Sequence, residues 1–169
     1  MKGIQFIFLI FFAFSVVAQS SNIVFDEIKN QEIIYGICTP SDFRENGFEN
    51  WFVEEYNNYI VNEEVFVPGY EVKFDSIYVL LASWCGDSRR EVPRFCKIMD
   101  HPYFEGTNVK YFGFDASKQN NIVFAEDLYL QFVPTFIFYY KGNELCRIVE
   151  EPKDSLEEDI MDLLSRIQP

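Results

Sequence analysis

The residues most able to do chemistry lie in one short segment, 84–88, which reads Trp-Cys-Gly-Asp-Ser. An apolar run precedes the segment and a helical pattern follows it, so Cys85 falls at the first turn of a helix. A thiol at that place faces unpaired backbone N–H groups and the positive end of the helix dipole, which favour the thiolate form. Arg89 and Arg90 add positive charge one turn away, whereas Asp87 opposes them. The segment therefore predicts that Cys85 is a nucleophile in thiol chemistry.

Two elements must position this thiol. Residues 76–82 form a continuous apolar run, which is typical of a strand covered on both faces. The helical pattern after the turn places Val92, Phe95, Cys96 and Met99 on one apolar face. Cys85 is thus expected at the turn from a buried strand into an amphipathic helix.

Strands and helices alternate along the rest of the chain. The predicted strands are 33–38, 109–115 and a hairpin of 135–140 with 144–149. The predicted helices are an aromatic-rich 48–60, a segment 121–130 that carries Phe124 and Leu128, and a final helix. In the final helix, Asp154 and Glu157 form a predicted capping box, and the apolar face comprises Leu156, Ile160, Leu163, Leu164 and Ile167. This order predicts an α/β fold with a mixed central sheet and helices on both faces.

Composition and charge limit the partners. The chain has 169 residues, with 27 acidic against 14 basic side chains and a net charge of −13. Nucleic acid and anionic membrane surfaces need a basic footprint, so neither is expected as the main partner. No glycine-rich phosphate loop follows a predicted strand, which argues against a nucleotide enzyme. We expect one domain with an N-terminal extension, and a monomer.

The N-terminus predicts export. Lys2 precedes an apolar run, 4–17, which is shorter than the roughly 20 residues that a membrane-spanning helix needs. Small residues then end at Ala18, as in a secretory signal peptide, with a retained anchor as the alternative. Cleavage after Ala18 predicts a periplasmic or secreted protein without stable membrane association, whose mature chain begins with an extension over 19–69.

Four features in order resemble the thioredoxin family over residues 70–169. They are Trp-Cys-Gly at 84–86, Pro93 in the following helix, a strand ending at Phe114-Asp115, and Val133-Pro134-Thr135 at the start of a hairpin strand. The resemblance implies a thioredoxin fold in which the Cys85 turn faces a cis peptide bond at Val133-Pro134. It also implies a substrate-binding groove formed by Trp84, Gly86, Asp87, Val133 and Pro134. Segment 33–62, together with Trp-Cys-Gly-Asp-Ser, further resembles exported bacterial thioredoxin-like proteins.

The sequence departs from the family where the second redox cysteine belongs. Ser88 occupies that position, so it cannot attack a mixed disulfide formed by Cys85, although it can donate a hydrogen bond to the thiolate. The family's buried acid corresponds to Val79, and its neighbouring lysine corresponds to Tyr111. We therefore expect single-thiol exchange through Cys85 and Ser88, with protein or small-molecule thiols and disulfides as partners and no cofactor. The alternative is a non-catalytic module that binds peptides or proteins in the same groove.

Two of the other cysteines and the one histidine are expected to be structural, and Cys38 is not assigned a role. Cys96 lies eleven residues beyond Cys85 in one helix, about 16 Å away at 1.5 Å per residue, and so out of disulfide reach. Cys146 is expected to behave as a small hydrophobe in a hairpin strand. A bond between Cys38 and Cys85 is left open. No metal is expected, because His101 stands alone and is interpreted as an exposed loop residue.

Overall fold

The computed structural model describes residues 22–45, 47–70 and 73–169. The predicted signal peptide lies outside the described residues. The strands are β1 Asn22–Asp26, β2 Gln31–Cys38, β3 Ser76–Leu81, β4 Val109–Gly113, β5 Thr135–Tyr140 and β6 Asn143–Val149; the α-helices are α1 Glu49–Asn58, α2 Gly86–Met99 and α3 Leu156–Ser165. In this described part, no helix is long and apolar enough to cross a membrane.

The strands form one mixed sheet in the order β1-β2-β4-β3-β5-β6. Strands β3 and β4 are parallel, and every other neighbouring pair is antiparallel. This topology confirms the predicted mixed α/β sheet. Strand β1 was not predicted; it forms a hairpin with β2, and β2 carries the N-terminal extension into the sheet beside β4.

The two faces of the sheet bury different sets of side chains, because side chains alternate along a strand. On β3, Ile77, Val79 and Leu81 belong to the larger core, which also contains buried residues of all three α-helices. Leu80 belongs to a smaller core on the opposite face, where it packs with buried Leu128. The three α-helices therefore cover one face. On the other face, where a helix was also predicted, the segment before β5 contributes only the 3-10 turn Glu126–Leu128.

The prediction of an α-helix over 121–130 is wrong. Only Glu126–Leu128 is helical, as a short 3-10 turn. The Asn120 side chain accepts a hydrogen bond from the Ile122 N–H at 3.0 Å, which competes with the start of an α-helix. Tyr129 then adopts a left-handed backbone conformation (φ 49°) and ends the turn. Leu128 still reaches the core from this shorter element.

The cap of α3 lies one residue later than predicted. The Ser155 hydroxyl accepts a hydrogen bond from the Glu158 N–H at 3.1 Å, and Asp154 instead pairs with Lys153. A serine oxygen satisfies an unpaired N–H of the first turn, so Ser155 marks the start of the helix. The predicted apolar face is confirmed, because all five of its residues are buried.

The N-terminal extension shares the core of the rest of the chain. A side chain at Gly113 in β4 would overlap the carbonyl oxygen of Ile34 in β2, so only glycine lets these strands lie this close. Beyond α1, the buried carboxylate of Glu157 in α3 accepts hydrogen bonds from the Tyr59 hydroxyl at 2.8 Å and the Asn62 N–H at 3.0 Å. These contacts attach both ends of the extension, whereas a domain boundary at residue 70 stays a prediction.

Candidate functional site

Cys85 is the residue that precedes α2. Its own N–H bonds the Ala82 carbonyl at 2.9 Å, which turns the chain sharply after β3. Its carbonyl accepts the first intrahelical hydrogen bond, from the Arg89 N–H at 3.0 Å. Its backbone is extended (φ −88°, ψ 130°), as is usual for a residue that caps a helix. The partly exposed thiol therefore lies at the helix N-terminus, where the sequence pattern places it.

The Val133-Pro134 segment lies directly against this thiol. The Val133-Pro134 peptide bond is cis. The Cys85 Sγ donates a hydrogen bond to the Val133 carbonyl oxygen at 3.3 Å. On the far side, the Pro134 carbonyl accepts from the Glu150 N–H at 2.7 Å, which ties the segment to the end of β6. The structure thus brings together the cysteine and the proline segment that the sequence separates by 48 positions.

Trp84 is held by two contacts that come from distant parts of the chain. Its indole Nε1 donates to the Phe114 carbonyl at 3.2 Å, and the Lys29 ammonium lies 4.1 Å from the ring centroid. Asp26 fastens the hairpin turn that carries Lys29, because its carboxylate accepts from the N–H groups of Lys29 at 2.8 Å and Ala116 at 2.7 Å. The hydrogen bonds from these backbone groups hold the pKa of Asp26 below its usual value. The sequence patterns did not predict that the β1–β2 turn lies beside the tryptophan.

Ser88 is fully buried and faces the strand rather than the thiol. Its hydroxyl oxygen accepts a hydrogen bond from the Ala82 N–H at 3.2 Å. The predicted hydrogen bond from Ser88 to Cys85 is not found among the described residues, where the Cys85 thiol donates to Val133 instead. The hydroxyl satisfies a backbone group at the end of the buried strand, which would otherwise cost free energy.

The two arginines of the first turns of α2 have different surroundings. Arg90 pairs with Asp87 at 3.0 Å and with the buried Glu91 at 2.6 Å, so acidic neighbours offset its charge. The Arg89 Nε donates instead to the Ser83 carbonyl at 2.6 Å. The prediction that Asp87 opposes the arginines is borne out for Arg90, through a direct ion pair.

The remaining three cysteines are also free thiols, and they differ in how far they are buried. Cys38 and Cys96 are buried, and Cys146 is half-buried in β6. Burial raises the pKa of the Cys96 thiol to about 12, although a hydrogen bond with the Tyr111 hydroxyl opposes the shift. Burial likewise raises the pKa of Cys38 well above its usual value. No Cys38–Cys85 bond is formed in this structure.

The structure also shows where the two substituted family positions, Val79 and Tyr111, and the one histidine lie. Val79 and Tyr111 are register partners in β3 and β4, and both are buried, so the positions of the family's acid and lysine lie side by side without charge. His101 is half-buried rather than exposed: its Nδ1 accepts from the Tyr103 N–H at 3.1 Å, and its ring packs 4.9 Å from that of Phe66. Among the described residues, no cluster of three or more acidic, histidine or cysteine side chains could hold a metal.

Comparison with known proteins decides the family. The chain is 34% identical over 89 residues to the putative thioredoxin-5 of Dictyostelium discoideum, a match that covers 53% of this chain and 81% of that protein. The chain belongs to the thioredoxin family. It is also 31% identical over 80 residues to thioredoxin H5 of Arabidopsis thaliana, covering 47% of this chain and 63% of that protein. A thioredoxin of Malassezia sympodialis is 30% identical over 76 residues, covering 45% of this chain and 69% of that protein. No family model matches the chain.

Thioredoxin family membership gives the Cys85 turn a chemical context. The relatives support thiol–disulfide redox chemistry in general. In this chain, such chemistry has a half-exposed thiol at a helix N-terminus beside the Val133 carbonyl, with serine one turn further along α2. The closer resemblance to exported bacterial proteins stays a prediction.

Proposed function

We propose that this thioredoxin-family protein carries out single-thiol disulfide exchange through Cys85. The Cys85 thiolate attacks a target disulfide, forms a mixed disulfide with one target sulfur, and releases the other as a thiolate. An outside thiol then attacks the mixed disulfide and becomes bonded to one of its sulfurs, while the other sulfur leaves as a thiolate. The observation that carries this proposal is the Cys85 Sγ, 3.3 Å from the Val133 carbonyl and beside Pro134.

The need for an outside thiol follows from the surroundings of Cys85. The resolving position holds Ser88, whose hydroxyl cannot form a disulfide and accepts from the Ala82 N–H. Cys38 and Cys96 are buried in the core, which limits their access to a mixed disulfide. The mixed disulfide should therefore persist until a thiol arrives from solution.

The proposed substrate is an extended segment of a protein that contains a disulfide. It would lie in the groove that Trp84, Gly86, Asp87, Val133 and Pro134 form around the thiol. Gly86 is exposed and nothing lies within 4 Å of a side chain built there, so a substrate backbone has room to approach.

A binding module without turnover is the second candidate, and one observation favours it. The acidic partners of Arg90, Asp87 and Glu91, offset the positive charge that would otherwise favour a thiolate at the start of α2. In this alternative, the same groove would bind a peptide and leave its disulfides unchanged.

A trapping experiment separates the two functions. The folded protein is incubated with a short peptide disulfide, and adducts are identified by intact mass and peptide mapping. Single-thiol exchange predicts one adduct at Cys85 that survives removal of excess reagent and disappears when 2-mercaptoethanol is added. The Cys85→Ser variant should form no such adduct, whereas the Cys146→Ser control should behave as the native protein. Peptide binding in both the native and Cys85→Ser proteins, with no adduct, would refute exchange and support the binding module.

We also propose that the protein is exported after cleavage behind Ala18. The support is the apolar run of 4–17 and the small residues that follow it. The N-terminus of the protein recovered from the producing cells should be Gln19, as read by N-terminal sequencing. Recovery of intact chains that begin at Met1 would contradict cleavage.

A further inference from the structure

Arg89 differs from the other arginines of this acidic protein in its ion pairing. Each of the others has a carboxylate within ion-pair distance: Arg44, Arg90, Arg94, Arg147 and Arg166. Arg89 has no such partner among the described residues; its Nε donates to the Ser83 carbonyl at 2.6 Å. In a chain of net charge −13, an arginine without an acidic partner is a candidate anion-binding residue.

This arginine lines a cleft between α1 and the start of α2. The cleft has a volume of about 510 Å³ and is lined by Trp51, Glu54, Glu55, Gly86, Asp87, Arg89 and Arg90. A second cavity, of about 420 Å³, also has Trp51 and Arg89 in its wall. Small-molecule sites commonly measure roughly 300–1,000 Å³, so the cleft has the size of a small ligand rather than of a folded partner.

Most charged side chains in the cleft wall already have an ion-pair partner. Asp87 pairs with Arg90 at 3.0 Å, and Glu55 pairs with Arg94 at 2.6 Å. This leaves Arg89 and the exposed Glu54 without a counter-ion among the described residues. One free cation and one free anion are suited to a ligand that carries both a carboxylate and an ammonium group.

The cleft is next to the nucleophile. The Ser83 carbonyl accepts a hydrogen bond from the Arg89 guanidinium. Ser83 is two residues before Cys85, so the Cα atoms of Ser83 and Cys85 are at most about 7 Å apart. Gly86 follows Cys85 directly and forms part of the cleft wall. Cys85 itself is not in the cleft wall, so a molecule whose carboxylate contacts Arg89 must extend past Gly86 for its sulfur to reach the thiol.

We propose that this cleft binds the small thiol that releases Cys85, an amino-acid thiol such as cysteine or a short cysteine peptide, with Arg89 holding its carboxylate and Glu54 facing its ammonium group. The inference rests on the proposed single-thiol function and names its co-substrate. The first small thiolate attacks the Cys85 sulfur of the mixed disulfide, which expels the target thiolate and leaves the small thiol bonded to Cys85. A second small thiolate attacks that thiol's sulfur, forms the small-molecule disulfide and returns Cys85 as a thiolate. Two small thiols thus supply the two electrons that reduce one target disulfide.

The test compares small thiols that differ in charge. The target-peptide mixed disulfide of Cys85 is reacted with 3-mercaptopropionate, which carries a carboxylate, and with 2-mercaptoethanol, which is neutral. Rates are divided by thiolate concentration and by the corresponding rates with an unstructured peptide disulfide. The native protein should prefer the carboxylate thiol by about two- to five-fold, as expected for a partly exposed ion pair. The preference should weaken when salt is raised from about 0.05 M to about 0.5 M, because mobile ions screen the contact.

Variants assign the preference to one side chain. Arg89→Gln should reduce the ratio of the two rates to about one, and Arg89→Lys should keep part of it because the charge remains. Arg166→Gln, which removes the same charge from the remote end of α3, should keep the native ratio. For the second contact, cysteine should lose reactivity relative to 3-mercaptopropionate in Glu54→Gln. A native ratio of one, or a ratio that survives Arg89→Gln, would overturn the inference alone. Failure of Cys85 to form any mixed disulfide would refute the proposed function and the inference with it.

Discussion

Replacing Ser88 with cysteine tests the single-thiol mechanism most directly. The position lies one helical turn beyond Cys85, where the thioredoxin family has its second redox cysteine. The native serine hydroxyl accepts a hydrogen bond from the Ala82 N–H at 3.2 Å inside the core. The substitution therefore adds a resolving thiol and weakens one buried hydrogen bond at the same time.

Both effects have expected sizes. Sulfur is a weak acceptor, so the reduced Ser88→Cys protein should lose about 1 kcal/mol of unfolding free energy, the typical net value of one such bond. A tethered thiol acts at an effective concentration of at least roughly millimolar. With an outside thiol at about 0.1 mM, Ser88→Cys should therefore release a mixed disulfide at least about ten times faster than the native protein.

A single turnover of the reduced proteins with insulin measures this difference, because later turnovers also depend on reduction of the new internal disulfide by the outside thiol. Urea unfolding measures the loss of stability. The double variant Cys85→Ser/Ser88→Cys is the matched control, since it has the new thiol but lacks the attacking one. Peptide mapping of the single variant after turnover with excess insulin should find a disulfide between Cys85 and the thiol introduced at position 88. Release of the mixed disulfide by the native protein as fast as by Ser88→Cys in that single turnover would refute the reasoning, and Cys38 would then be the first cysteine to replace.

Three further predictions concern the core and the hairpin beside the site. Gly113→Ala should lower the unfolding free energy measured in urea by about 2 kcal/mol or more, because the new methyl group overlaps a carbonyl of β2. The control Gly86→Ala should change it by less than about 1 kcal/mol, because that position has open space. Equal effects of the two substitutions would contradict the close approach of β2 and β4. The native protein should be more stable than Asp26→Asn, and urea titrations should show the full difference above the unfolded pKa of 3.8. The difference should shrink as pH falls through the lowered pKa of Asp26 in the folded state. A difference that does not change with pH would show that the carboxylate charge contributes nothing to stability. Iodoacetamide at neutral pH should label Cys38 and Cys96 at least about a hundred times more slowly in the folded protein than in urea. The reason is that burial raises the pKa of both thiols. Rapid labelling of either thiol in the folded state would show that the core opens readily.

The sequence alone predicts the elements whose patterns are local and strong. The face of α3 follows from apolar residues at helical spacing, and the start of α2 follows from a buried run that meets a helical pattern at Cys85. In segment 121–130, only two apolar residues suggest helical spacing. The hydrogen bond from the Ile122 N–H to the Asn120 side chain and the left-handed backbone of Tyr129 prevent an α-helix there. Strand β1 escaped prediction because a five-residue edge strand has too few positions to establish a period.

What the sequence by itself determined about the site is its residue types: a cysteine at a helix start, predicted to be the nucleophile, and a serine where the family's second thiol stands. Only the tertiary structure decided what surrounds them, since those neighbours lie far apart in the chain. Val133 reaches Cys85 across 48 positions, and Lys29 reaches Trp84 through a hairpin that pairs with the sheet. The absence of a counter-ion for Arg89 among the described residues depends in the same way on where every carboxylate is placed by packing. Local patterns record interactions between near neighbours in sequence, whereas these contacts exist only after the sheet and helices have assembled into one core.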